Sequence, residues 1–317
     1  MTWRAKDVCL RLCVGSSYET VAAGLARLWG RGPAAETLRQ AVLGEGQRLR
    51  EQERGGARQV GAGEVREPAA RPERLYVALD GGYARGRARR QWYEAKLGAV
   101  NPERRVQVSA HRRQVLGRRN VGTFGSAEQL GELVYAQAFA QGVERARQVV
   151  VLGDGASWVK RLQEEQFPRA ELRLDAFHVL QALTRALRAA YPEEENVRQE
   201  QHGQLQALLW QGQVGRAVAR LERIAQERPG AGKALGETIG YYRRQAPWMP
   251  AYGELQARGE MISSALAEET VDRVFNERFK YRHRHWGRAG AEALLGLRLL
   301  ADRDEWEDYW QPAQRAA

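Results

Sequence analysis

The sequence predicts an α/β protein: a mixed sheet with helices on its faces, interrupted by an all-α stretch and preceded by a helical N-terminal segment. Three observations carry this. Apolar runs of strand length end on aspartate at "RLYVALD", "QVVVLGD" and "AELRLD". Amphipathic helical segments follow the second and third of them, the alternation that places helices against a sheet. Between about residues 192 and 262 the strand pattern disappears and only helical periodicity is left.

Residues 1–53 read as three helical segments, "DVCLRLCV", "SYETVAAGLARLWG" and "AAETLRQAVLGEGQRLREQE", with Ser17 as an N-cap and Gly30, Gly32 and Pro33 as a stop. Two short helices, a Gly-containing turn and a longer third helix match a helix-turn-helix. A plain helical cap reads equally well. Arg39, Gln40 and Arg48 on the third helix are the candidate DNA contacts. Cys9 and Cys13, the two cysteines of the chain, are expected to be reduced core residues. Residues 54–72, rich in Gly, Pro and charge, read as a linker.

A first core part is expected over 73–191. It comprises strands 74–80, 91–100 and 105–116, a helix over 127–146, a strand over 148–154, a helix over 156–167, a strand over 170–175 and a helix over 176–191. The helical insertion follows over 192–262. The core resumes over 263–317 with helices 264–282 and 288–310. Trp210 and Trp248 are expected in the insertion core, and Glu94 and Lys96, two apart on one strand face, as an ion pair.

A net charge of +11, mostly from arginine, suits a polyanionic partner. No run approaches the roughly 20 apolar residues of a bilayer span. "MTWRAKDVCLRLCVG" is too charged for a secretion signal. A cytoplasmic, nucleoid-associated location is the expectation.

Asp80, Asp154 and Asp175 close the three strands. Ligands of open α/β sheets gather beyond the carboxyl ends of strands. Carboxylates that converge there repel one another unless a cation neutralises them. Hard divalent ions suit such a set, and a pair of them can drive phosphodiester chemistry. At any one position a helix N-cap explains the aspartate as well. The basic segment "KYRHRHWGR" (280–288) reads as a phosphate-contacting surface, since His283 and His285 lack the partners of a zinc site.

Three blocks in order resemble the bacterial insertion-sequence transposases of the Mutator-related DDE type: "LDGGYARGRARRQWYEAKLGAV", "VVVLGDGASWVKRLQEEQFPRAELRLDAFHVLQAL" and "SSALAEETVDRVFNERFKYRHRHW". The resemblance covers roughly 74 to 300. It implies an RNase H-like core, with Asp80, Asp154 and Glu268 as catalytic acids holding two Mg²⁺ or Mn²⁺ ions. It also implies Asp175, His178, Arg278 and Trp286 as site-ordering or DNA-contacting residues, with Arg282 and Arg284 in the basic segment beside them. Glu269 is the neighbouring alternative to Glu268, about 100° away on the helix. Glu268, Val271, Phe275 and Arg278 fall on one helical stripe that would pin this helix to the sheet. The chain departs from the pattern at Ser263-Ser264-Ala265, where a Gly-Ser-Gly-like segment is usual.

The implied activity is cleavage and strand transfer at terminal inverted repeats of double-stranded DNA, with a homodimer or larger assembly joining two ends. The alternatives are an inactive transposase-derived DNA-binding protein and an RNase H-like nuclease.

Overall fold

A computed structural model describes residues 2–109, 112–280 and 284–315. Three helices open the chain: α1 (Trp3–Gly15), α2 (Tyr18–Trp29) and α3 (Ala35–Gly61). The side chains of Thr2 and Ser17 cap the first two, and Gly30 ends α2 in the left-handed conformation. Helix α3 carries straight through the first part of the expected linker, against the sequence reading. Gly55, Gly56 and Gly61 weaken helix propensity there, but burial overrides it. Ala57 packs into the sheet core, and Arg50 bonds Glu53, Glu292 and the Gly122 carbonyl.

The main sheet has five strands in the order β5-β2-β1-β6-β7. They are β1 (Arg74–Arg85), β2 (Trp92–Asn101), β5 (Arg119–Thr123), β6 (Gln148–Gly153) and β7 (Glu171–Leu174). β2 is antiparallel to β1 and β5, whereas β1, β6 and β7 run parallel. The strand expected over 105–116 is instead a separate hairpin, β3 (Arg104–Ser109) with β4 (Arg112–Leu116). The third main strand is β5, which polar Arg119 and Asn120 had hidden from the sequence reading.

Alternation along β1 sorts the two faces. Leu75, Val77 and Leu79 meet α4 (Ala127–Ala140) and α5 (Ser157–Gln166) on one side. Tyr76 and Ala78, with Val150 and Leu152 of β6, meet Leu266 and Ala267 on the other. The latter pair belongs to α11 (Ala265–Thr270), which runs on through a π-helical turn, Val271–Asn276, into α12 (Glu277–Phe279).

The insertion and α6 (Ala176–Ala190) share a core of their own. It is built by α7 (Glu195–Trp210), α8 (Val214–Glu227), α9 (Gly232–Gln245) and α10 (Tyr252–Ala257). Trp210 and Trp248 pack against that core, as expected. The last helices are α13 (Arg288–Asp302) and α14 (Trp306–Arg315). They form one cluster with α1–α3, Phe275 and Phe279, in which Cys9 and Cys13 are buried thiols. Among the described residues no helix is long and apolar enough to cross a membrane.

Candidate functional site

The acids meet beyond the ends of the parallel strands because of register. β1 and β6 pair in parallel up to Ala78 and Leu152, so Asp80 and Asp154 lie level two residues further on. Asp80 does not end its strand, as the sequence reading had it. Only the parallel pairing stops there, while the antiparallel pairing with β2 carries β1 on to Arg85. By alternation Asp80 faces the side of Ala78, where α11 lies. Asp154 is held in a tight turn: its carboxylate accepts the Ala156 amide at 2.9 Å and its carbonyl accepts the Tyr241 hydroxyl at 2.9 Å. Gly155 has a φ of +86°, and a Cβ there would stand 2.7 Å from the Gln245 side chain. The insertion thus clamps this turn from above.

Asp175 caps α6 and is fully buried. Its carboxylate accepts the Phe177 amide at 2.7 Å, the Ser264 amide at 3.1 Å, the Ser264 hydroxyl, and His178 Nδ1 at 3.1 Å. Ser264 also reaches Glu268 Oε1 at 3.5 Å, and His178 Nδ1 lies 4.0 Å from that oxygen. One ligand atom each from Asp175, His178 and Glu268 falls within 4.8 Å of the others. Among the described residues it is the one group of three such side chains placed this closely. Asp80 and Asp154 stand beside it rather than in it, so the geometry does not draw Asp80, Asp154 and Glu268 into one set.

Asp80, Asp175, His178 and Glu268 nevertheless act on one another through their charges, and Asp154 acts on Asp80 and His178. Burial raises the Asp80 carboxyl, Asp154 and Asp175 raise it further, and the Gly81 amide at 2.7 Å opposes them. Glu268 is pushed up to about 7 by burial and then by Asp175. At Asp175 burial is outweighed by the His178 and Ser264 hydrogen bonds, and its carboxyl is held low. At His178 burial is outweighed by Asp175, Asp154 and Asp80, which hold the imidazole pKa above its usual value. Glu269 turns away, pairing with Arg118 at 2.7 Å.

A family profile, Uncharacterised protein family (UPF0236), matches residues 5–307. The chain belongs to this family. No protein of curated function matches it.

In this UPF0236 member the remaining candidates lie elsewhere. Arg39 and Gln40 both bind Glu36 on the outer face of α3, and Arg48 binds Glu45 and Tyr309. Arg278 and Trp286 stack at 5.2 Å in the cluster of N-terminal and C-terminal helices, away from the acids. The π-helical turn keeps Val271, Phe275 and Arg278 buried, but the stripe from Glu268 to Arg278 spans two different places in the molecule. Glu94 and Lys96 form their ion pair at 2.6 Å. Arg282 and His283 lie outside the described residues; Arg284 is half-buried beside Trp286. Sequence reasoning missed Ser264, Tyr241 and Gln245. Ser264 stood in plain view as the departure before the third acid, whereas nothing local marks the other two.

Proposed function

We propose that this protein is a DNA transposase of the DDE type, with an RNase H-like core that cuts and joins phosphodiester bonds at the ends of a mobile element. The observation that carries this is the gathering of Asp80, Asp154, Asp175, His178 and Glu268 beyond the parallel strands of the five-stranded mixed sheet. The all-α insertion between β7 and α11 supports the same reading.

The donor set fits hard divalent cations: burial first, and then repulsion between carboxylates, raises Asp80 and Glu268, and a cation relieves both. On this reading Asp80 and Asp154 would hold Mg²⁺ or Mn²⁺, with Glu268 joining them from its place beside Asp175 and His178, and the bound ion would supply activation of the attacking oxygen and stabilisation of the leaving one. Asp175 positions rather than ligates, because its carboxylate is already engaged by Ser264, His178 and the Phe177 amide. His178, oriented by Asp175 through Nδ1, would use its second ring nitrogen to hold a proton or a phosphate oxygen. Exposed Gln40 and half-buried Arg39 on α3 supply DNA contacts outside the acid cluster. Two copies are expected to join two DNA ends, in the cytoplasm and on the nucleoid.

The test is cleavage of a duplex carrying the inverted repeats that flank the coding segment, with Mg²⁺ or Mn²⁺ supplied. Asp154→Ala is expected to abolish cleavage while DNA binding persists. Undiminished cleavage in that variant refutes the mechanism. Binding of DNA by the parent protein with neither cleavage nor Mn²⁺ uptake in calorimetry would leave a DNA-binding relic instead.

A further inference from the structure

Far from the acids, the N-terminal helices and the start of α13 enclose a cavity of about 520 Å³, within the roughly 300–1,000 Å³ usual for small-molecule sites. Among the described residues five arginines line it, Arg39, Arg87, Arg278, Arg284 and Arg288, against a single acid, Glu19. β1 leads to it. Gly86, just past the end of that strand, bridges to Trp286, so six residues at about 3.3 Å each separate the cavity from Asp80 by about 20 Å.

Arg278 is the decisive residue. It is only 2% exposed, and its Nε has no hydrogen-bond partner. One guanidinium nitrogen donates to the Ser16 carbonyl at 2.9 Å. The plane is packed between Tyr18 at 5.7 Å and Trp286 at 5.2 Å. Among the described residues no carboxylate pairs with it, and its pKa is lowered to about 10 by burial and by Arg284. A buried cation without a counter-charge is costly, and a fork of N–H donors held by aromatic rings suits a tetrahedral oxyanion.

A second observation points to the same ligand. Gly287, the N-cap of α13, offers no side-chain cap, and the first-turn amides of a helix lack intrahelical acceptors. The Arg87 guanidinium carbon nevertheless sits 3.6 Å from where a Gly287 Cβ would be. A cation there opposes the positive end of the helix unless an anion lies between them. Arg87 makes no ion pair or hydrogen bond among the described residues, and the Glu36 carboxylate, already bound by Arg39 and Gln40, acts on it only at longer range.

We propose that this cavity is a nucleotide-phosphate site: Arg278, Arg87 and the first turn of α13 take the phosphate oxygens, while Leu43, Tyr18 and Trp286 wall the space that a sugar or base would enter. The site does not depend on the acid cluster or on metal, and so stands or falls apart from the transposase reading.

The test is isothermal calorimetry of the full chain, without divalent metal, against deoxyadenosine 5′-monophosphate, inorganic phosphate and deoxyadenosine. The monophosphate is expected to bind at one site, phosphate to compete with it, and the nucleoside to bind much more weakly. Arg87→Gln, on the exposed rim, and Arg278→Lys are each expected to weaken binding about tenfold or more, while Asp154→Asn leaves it unchanged. Should Arg278→Lys fail to fold, Arg87→Gln decides alone. Absence of saturable binding, or the same affinity in folded Arg87→Gln, overturns the proposal. Binding of inorganic phosphate as tight as that of the nucleotide would overturn its nucleotide part.

Discussion

Asp175 shows how one buried carboxylate can tie two distant elements together. It caps α6, receives two bonds from Ser264 just before α11, and orients His178. Asp175→Ala removes a helix cap worth about 1 kcal/mol and strands buried donors at about 1–3 kcal/mol. Urea denaturation is therefore expected to show a loss of about 3 kcal/mol; a change below about 1 kcal/mol would deny Asp175 this role. Glu45 is a second case, with a pH dependence attached. Burial pushes its carboxyl up, but Lys6, Tyr309 and Arg48 outweigh that and hold it below the ordinary value. A depressed folded-state pKa contributes stability above the unfolded value of about 4.5, lost as pH falls through the folded value. Glu45→Gln is expected to lower stability at neutral pH by about 2 kcal/mol and to flatten its decline below about pH 4.5. Parallel pH–stability curves for parent and variant would contradict the assignment.

At the scale of elements, the contact between α3 and α13 is close because both present small residues. A Cβ on Gly46 would stand 2.4 Å from the Ala293 carbonyl oxygen, and backbone there cannot yield. Gly46→Ala should gain about 1 kcal/mol of helix propensity and lose more to overpacking, commonly 1–3 kcal/mol. A lowered melting temperature is the expected outcome; a raised one would mean that α3 rides loosely on α13. The same packing explains why the expected linker is helical to Gly61. It also bears on the helix-turn-helix reading, since a 27-residue α3 docked along α13 and α4 leaves only its outer face for DNA. At the other end of the chain, the π-helical turn after Glu268 lets Phe275 and Phe279 stack at 5.0 Å without moving the acid from Ser264.

Over the whole molecule, the net charge of +11 bears on the DNA-binding part of the proposed function, because a cationic surface attracts a polyanion with a strength that salt screens. DNA affinity is expected to fall about tenfold or more between about 50 and 200 mM salt, measured by fluorescence anisotropy on a duplex. A flat response would show that the arginines are occupied within the fold rather than by phosphate.

How much of this was legible beforehand follows from the range of each interaction. β1, β2, β6 and β7, the helices after them and the helical insertion stood in the sequence, because apolar periodicity and strand-terminal acids are local features. So did the Glu94–Lys96 pair and the buried cysteines. Strand β5 was not visible, since its Arg119 and Asn120 are polar and find partners at the end of α13 and in the turn that follows it. Nor could local pattern foresee that Glu268 sits with Asp175 and His178, or that Arg278 lies apart from both. Those neighbourhoods join residues up to about 260 positions away, as Arg278 does with Ser16. The sequence by itself determined which side chains are available for chemistry. Only the tertiary structure decided which of them share a dielectric environment and a distance, because register, burial and close packing are properties of the assembled chain.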